Sequence, residues 1–265
     1  MLEAVIFDWA GTLCDFGSRA PLSAFVELFA RNGVQISLAE AREPMGTEKK
    51  EHVRRLLRMP RVEAQWRKQH GTAATEVVID ELYRQLVPIQ RAAVEQHSQL
   101  IPGVLDAYEV LRAKCIKVGS TTGYGRAMVG PMLESAQRQG FKADCVVTAD
   151  EVPIARPAPA GALMNAIQLC VSDVRHCLKV DDTSPGIEEG RRAGMWTAAV
   201  VVSGNALGLS REEWQALSSE ARLEERSRAW RTVRDYNAHF AIDSVADLPG
   251  VIADINKRLE RGERP

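Results

Sequence analysis

The sequence predicts an α/β protein built on a doubly wound parallel sheet, with an all-helical segment inserted after the first strand. Three observations predict it. Near the start of the chain, Val5-Ile6-Phe7 is apolar on both faces and stops at Asp8, as expected of a central parallel strand covered by helices on each side. Residues 18 to 100 then show helical spacing only. From Ile101-Pro102-Gly103 onward, strand-like and helix-like segments alternate, the pattern of parallel strands joined by right-handed crossovers. The predicted division is a core from 1–17 with 101–265, and a helical insert over 18–100.

Within the insert, Pro21 opens an amphipathic helix with Leu22, Phe25, Val26 and Phe29 on one stripe, ended by Asn32-Gly33. Ser37-Leu38-Ala39-Glu40 is a capping-box pattern that starts a short second helix. Pro44-Met45-Gly46 breaks the chain, and Thr47 is placed to cap a third helix reaching about Leu57. From about Thr75 a long helical pattern carries Ile79, Leu82, Leu86 and Ile89 on one side, with Pro88 expected to bend it.

In the core, a helix to about Ala113 precedes a strand over 116–119, a helix to Gln139 precedes Cys145–Val147, and a helix to Cys170 precedes a strand over 177–180. Residues 196–202 read as a further strand. Ser210-Arg211-Glu212-Glu213 is a second capping box, opening a charged stretch to Arg234 that reads as a solvated helical excursion. Residues 239–242 fit an edge strand, and Ile252, Ile255 and Leu259 give the last helix its buried face.

Composition narrows the function classes. The 265 residues are 45% hydrophobic and 26% charged, enough for a large core in one soluble protein. A net charge of −1 provides no basic field of the kind nucleic-acid binding needs. Five cysteines are odd in number and lack CxxC spacing, which argues against a disulfide framework or a zinc site and for reduced thiols. No basic segment leads into an apolar signal region, and the longest apolar run, 195–202, is too short to span a bilayer. The expectation is a cytoplasmic protein with no membrane or nucleic-acid partner.

The strand ends carry the chemistry. Ligands of parallel sheets bind beyond the carboxyl ends of the strands, so Asp8 would stand at the mouth of a site, with Gly11 letting backbone amides approach an anion. Ser120-Thr121-Thr122-Gly123 follows the next strand, where a hydroxyl and amides suit a phosphoryl oxygen. Asp181 and Asp182 end another strand and would repel each other unless a cation lay between them and Asp8. Taken singly, each has a plain reading as a capping carboxylate, a turn or a surface group. Their order along one sheet points to a site.

Asp8-Trp9-Ala10-Gly11-Thr12 resembles the first motif of the haloacid dehalogenase superfamily, whose leading Asp is a phosphoryl-accepting nucleophile. Arg156, in Ala155-Arg156-Pro157-Ala158-Pro159, sits where that superfamily places a Lys or Arg. Its phosphatases carry a second Asp two residues after the first, as general acid, and here that residue is Ala10. Met45-Gly46-Thr47-Glu48-Lys49-Lys50-Glu51-His52-Val53-Arg54 resembles the cap motif of the phosphonoacetaldehyde hydrolase branch, with Met45, Lys49 and His52 at matching positions.

The resemblance covers about residues 2 to 195. It implies a Rossmann-like core with a helical cap, and cleavage of the C–P bond of phosphonoacetaldehyde to acetaldehyde and phosphate. It implies catalytic roles for Asp8, Lys49, His52 and Arg156, and substrate contacts from Thr12, Met45, Thr121, Thr122 and Gly123. Mg²⁺ would be held by Asp8, the Ala10 carbonyl and Asp182, with the role of Asp181 open, and the oligomer would be a homodimer through the cap. Lys49 would lie in the first turn of its helix, where the dipole and the neighbouring Lys50 both disfavour an ammonium, and His52 would share its face. Two residues depart from the pattern: Gly186 stands where some relatives carry an acid, and Ala160 where a bulkier residue is expected. The alternatives are a phosphatase or dehalogenase of the same superfamily acting on another small substrate, and a silent binding protein that kept the fold.

Overall fold

The computed structural model describes residues 1 to 265. Six strands form one parallel sheet: β1 (Ala4–Phe7), β2 (Lys117–Thr121), β3 (Cys145–Val147), β4 (Cys177–Asp181), β5 (Trp196–Val200) and β6 (Phe240–Ile242), in the spatial order β3-β2-β1-β4-β5-β6. β1 is central because its four residues are all buried, and its side chains alternate between two cores. Val5 and Phe7 join the larger cluster, whereas Ala4 and Ile6 join the smaller one on the opposite face. The doubly wound sheet is therefore as predicted. Its register sets Phe7 opposite Ser120 and Val180, so the next residue, Asp8, emerges beside the ends of β2 and β4.

Between β1 and β2 the chain is helical throughout: α1 (Ala20–Arg31), α2 (Leu38–Arg42), α3 (Lys49–Arg58), α4 (Pro60–His70), α5 (Glu76–Gln96) and α6 (Val104–Ala113). The Ser37 capping box and the Thr75 cap form as the sequence implies. α5 runs uninterrupted through Pro88. The two connections to the sheet pass side by side, where the Ile101 amide donates to the Leu13 carbonyl at 2.9 Å.

The remaining helices are α7 (Arg126–Arg138), α8 (Ala160–Gln168), α9 (Ser184–Arg192), α10 (Arg211–Ala216), α11 (Ser219–Arg234) and α12 (Leu248–Glu260). α4 was not foreseen, because its buried stripe is only Val62 and Trp66. The cap of α3 is Glu48, whose carboxylate accepts from the Lys50 and Glu51 amides, while the Thr47 hydroxyl donates to the Pro44 carbonyl. The charged stretch 210–234 is helical and mostly exposed as expected, but α11 is also anchored to the core. Ala229 and Val233 of α11 pack into a third core with Ile187, Ala199 and Val201, and Arg226 and Trp230 both donate to Asp243. Two small apolar residues amid charge are a weak periodic signal, which is why the sequence hid this contact. No helix is long and apolar enough to cross a membrane, and all five cysteines are free thiols.

Candidate active site

The site lies at the carboxyl edge of the sheet, where Asp8 follows β1 and Asp182 follows β4. Carboxylate oxygens of Asp8, Asp181 and Asp182 lie within 4.8 Å of one another and all three residues are buried. The turn after Asp8 brings Gly11 against Asp182. Gly11 has φ of +80°, and a Cβ there would stand 2.1 Å from Asp182 Oδ2, so both the conformation and the space require glycine.

The three acids have different partners. Asp181 Oδ2 accepts from Lys179 Nζ at 2.8 Å, and its Oδ1 accepts from the Thr183 hydroxyl at 2.7 Å and the Thr183 amide at 3.0 Å. Burial pushes Asp181 up, but Lys179 and Arg156 outweigh it and hold the carboxyl below its ordinary value. Asp182 Oδ2 accepts from the Asn205 amide at 2.7 Å, while its buried Oδ1 has no hydrogen-bond partner. Burial, then Asp8 and Asp181, push Asp182 well above the ordinary carboxylate range. Burial and Asp181 likewise raise Asp8 to about 6, against the opposing pull of Arg156. A buried carboxylate oxygen left bare beside two like charges is the donor set a hard divalent cation satisfies. Asp181, saturated by Lys179 and Thr183, is a strut of the cluster.

The Gly186 departure has a physical reason here. A Cβ at Gly186 would stand 1.9 Å from Asp181 Oδ2. The Asp181 carboxylate thus fills the volume that a side chain at 186 would need.

Arg156 extends from the loop before α8 into the cluster and is joined to Pro157 by a cis peptide bond. Its Nη1 donates to Asp8 Oδ1 at 2.8 Å and its Nη2 to the Thr121 hydroxyl, while Nε lies 3.0 Å from Glu189 Oε2 without hydrogen-bond alignment. Burial opposes the guanidinium charge, but Asp181, Glu189 and Asp8 more than restore it. The Thr121 hydroxyl in turn donates to Glu189 Oε2 at 2.8 Å. Lys179 and Glu189, two fully interior charges, were not singled out from the sequence. A lysine in mid-strand and a glutamate on a helix acquire their roles only when β4 and α9 meet.

A small cleft of about 300 Å³ is lined by Asp8, Ala10, Met45, Lys49, Thr122, Gly123, Arg156 and Asp182 from the expected set, joined by Ser18, Pro21, Gly46, Tyr124 and Thr183. Lys49, the first residue of α3, is buried with Nζ 4.5 Å from the Tyr124 ring centroid and 5.8 Å from that of Phe25. Burial lowers it to about 8, with Asp8 opposing and Arg156 reinforcing the shift. Lys50 turns away to an ion pair with Asp80 and is not among the causes, so desolvation replaces the like-charge argument made from the sequence. The Tyr124 and Phe25 rings are the apolar neighbours that desolvate Nζ.

Three expected residues lie off the cleft wall. Thr12 is buried inside the turn in which its own amide and that of Leu13 both donate to the Trp9 carbonyl, so its hydroxyl does not reach the cleft. Thr121 is still part of β2, two residues beyond the expected strand end, and strand alternation points it at Glu189. His52 sits behind the wall, stacked on Phe25 at 3.8 Å between centroids. Its Nε2 is 2.9 Å from the Ala41 carbonyl, which only accepts, so the proton is on Nε2 and the buried Nδ1 is a bare lone pair. Burial and then the Lys49 charge hold the imidazole well below its ordinary value, and it is neutral.

Residues 2–194 match the family model described as haloacid dehalogenase-like hydrolase. Proteins named phosphonoacetaldehyde hydrolase from Hahella chejuensis and Pseudomonas fluorescens are 48% and 49% identical over 264 residues, covering all of this chain and 90% and 96% of theirs. The crystal structure of a phosphonoacetaldehyde hydrolase-like protein from Oleispira antarctica superposes with a TM-score of 0.98 at 52% identity, over 100% of this chain and 96% of that one. β-Phosphoglucomutase from Clostridium difficile, at 18% identity and a TM-score of 0.70 over 98% of this chain and 99% of its own, shares the fold. With its buried acid cluster, its cap lysine and relatives of this kind matched end to end, the chain belongs to the haloacid dehalogenase-like hydrolases and, within them, to the phosphonoacetaldehyde hydrolase family.

Proposed function

We propose that this enzyme hydrolyses phosphonoacetaldehyde to acetaldehyde and phosphate, with Lys49 as the amine that condenses with the aldehyde and Asp8 as the nucleophile at phosphorus. One observation carries the reading: a buried lysine with a pKa near 8 shares a small cleft with a buried aspartate that has no acid two residues further on. An ordinary phosphatase has no use for that amine and would lack the acid needed for an alkoxide leaving group.

The neutral Lys49 Nζ adds to the aldehyde carbon, and the carbinolamine takes up a proton and loses water to give an iminium. Asp8 then attacks phosphorus in line, and the C–P bonding electrons pass into the iminium to leave an enamine on Lys49. No alkoxide departs, so Ala10 is sufficient where a phosphatase needs Asp. Arg156, ion-paired to Asp8 Oδ1, aligns the carboxylate and offsets charge on the phosphoryl oxygens, aided by the Thr122 hydroxyl and the amide of Gly123. Asp8, the Ala10 carbonyl and Asp182 would hold Mg²⁺, which when bound neutralises developing phosphoryl charge. Water then hydrolyses the aspartyl phosphate, the enamine takes a proton at carbon, and hydrolysis of the imine frees acetaldehyde and Lys49. The bare Nδ1 of His52 is the proposed proton carrier, and Met45 lines the cap side of the cleft.

The same reading places the cap boundaries near 17/18 and 100/101, the enzyme in the cytoplasm, and two copies together through their caps. Its test is release of phosphate and acetaldehyde from phosphonoacetaldehyde with and without Mg²⁺. Equal yields of both products, dependent on the metal, support it. Turnover of an aryl phosphate or a 2-haloacid without turnover of phosphonoacetaldehyde would replace it with a generic activity.

A further inference from the structure

α2 ends in Arg42, a residue of the helical insert that reaches across to the sheet domain. Its Nη1 donates to the backbone carbonyl and to the side-chain Oδ1 of Asn205, both at 2.7 Å, and to the Gly17 carbonyl at 3.4 Å; its Nη2 donates to the Gly208 carbonyl at 3.4 Å. All four acceptors are neutral oxygens. The guanidinium lies directly on Gly208, where a Cβ would come 2.7 Å from Arg42 Cζ. Asn205, held on its carbonyl and side chain by Arg42, donates its own amide to Asp182 Oδ2, while Asp182 Oδ1 is buried without a hydrogen-bond partner. The same loop is pinned to the nucleophile turn, since the Ser203 hydroxyl donates to the Gly11 carbonyl at 3.1 Å. One chain of hydrogen bonds therefore runs from the cap through Asn205 to the carboxylate beside Asp8.

We infer that Arg42 is a positioning residue for the metal carboxylate: cap seating through the Arg42–Asn205 contact fixes the amide that orients Asp182. This rests on the reading in which Asp182 holds the divalent cation. A bare surface clamp would need no contact with that loop. Here the coupling makes the cation site complete only when the cap that carries Lys49 is also seated, so both halves of the chemistry are assembled together.

The test is Mn²⁺ binding to the full chain without substrate, followed by electron paramagnetic resonance, alongside thermal denaturation. Arg42→Met keeps the apolar stem and removes the fork; it should weaken Mn²⁺ binding about 10-fold, as loss of an outer partner of a metal ligand does. Arg42→Lys, which keeps the charge but not the two-pronged geometry, should lose less. A purely structural role would lower Tm and leave the affinity of the folded protein unchanged. A folded Arg42→Met protein with wild-type Mn²⁺ affinity overturns the inference; if that variant does not fold, wild-type affinity in Arg42→Lys overturns it and a clear weakening supports it. Failure of the unaltered protein to bind Mn²⁺ at all would overturn the metal reading of the site itself, whatever the variants do.

Discussion

Raising the pH should accelerate condensation of the aldehyde with Lys49 until the amine is fully neutral, and the structure locates the midpoint. Burial brings the ammonium from 10.5 down to about 8. Each factor of ten in acidity is a factor of ten in neutral amine below the midpoint, so at pH 7 the buried lysine presents roughly 300-fold more nucleophile than a solvated one, worth about 3 kcal/mol. The sign is fixed by the chemistry: only the neutral form attacks, so the rate climbs with pH and levels off above about 8. The assay is the initial rate of reductive trapping by borohydride plus substrate across that range. Asp8→Asn provides a second lever. Asp8 is the largest charge favouring the ammonium, so its removal should move the midpoint below 8. A midpoint near 10.5, or one that rises in Asp8→Asn, would refute the assignment of a desolvated amine at Lys49.

Asp8→Asn should also lose phosphate release by a factor on the order of 10⁴ or more while still trapping the aldehyde on Lys49; wild-type phosphate release would end the aspartyl-phosphate proposal. Ala10→Asp should bring no gain on phosphonoacetaldehyde, since no alkoxide is formed and a further acid would add to the charge beside Asp8 and Asp182; a faster steady-state rate would show that the leaving group has been misassigned. Gly186→Ala should overpack Asp181 and cost about 1–3 kcal/mol, lowering Tm by several degrees; an unchanged melting curve would mean that Asp181 moves aside freely.

What could be read in advance was what sequence-local physics decides. β1, the Asp8 turn and the Asp181-Asp182 strand end follow from short apolar runs that stop at polar residues, and the sheet has them where expected. Lys49 and His52 were legible as a pair on one helix. Their environments were not, because burial is a property of the assembled cap: Phe25 stacks on His52, and Tyr124 of the core walls Lys49. Thr121, expected as a substrate contact, stands off the cleft lining because β2 extends two residues further than its apolar run. Lys179 and Glu189 were silent because no periodicity marks a buried charge: Lys179 is paired with Asp181 of its own strand, and Glu189 meets Arg156 only once the loop before α8 folds over α9. The helix of α11 was legible but its core contact was not, because only Ala229 and Val233 are buried on its inner stripe.

The central claim is that this chain cleaves its substrate through a covalent imine on one particular lysine, and peptide mass mapping after borohydride reduction during turnover tests it most directly. Lys50 is the internal control, since it lies about 100° around α3 from Lys49 and is ion-paired to Asp80. Inactivation is expected together with a two-carbon mass addition on Lys49 and none on Lys50, and no label at all in Lys49→Arg, whose guanidinium stays protonated. Undiminished activity after substrate plus borohydride, or a label that maps to Lys50, would contradict it.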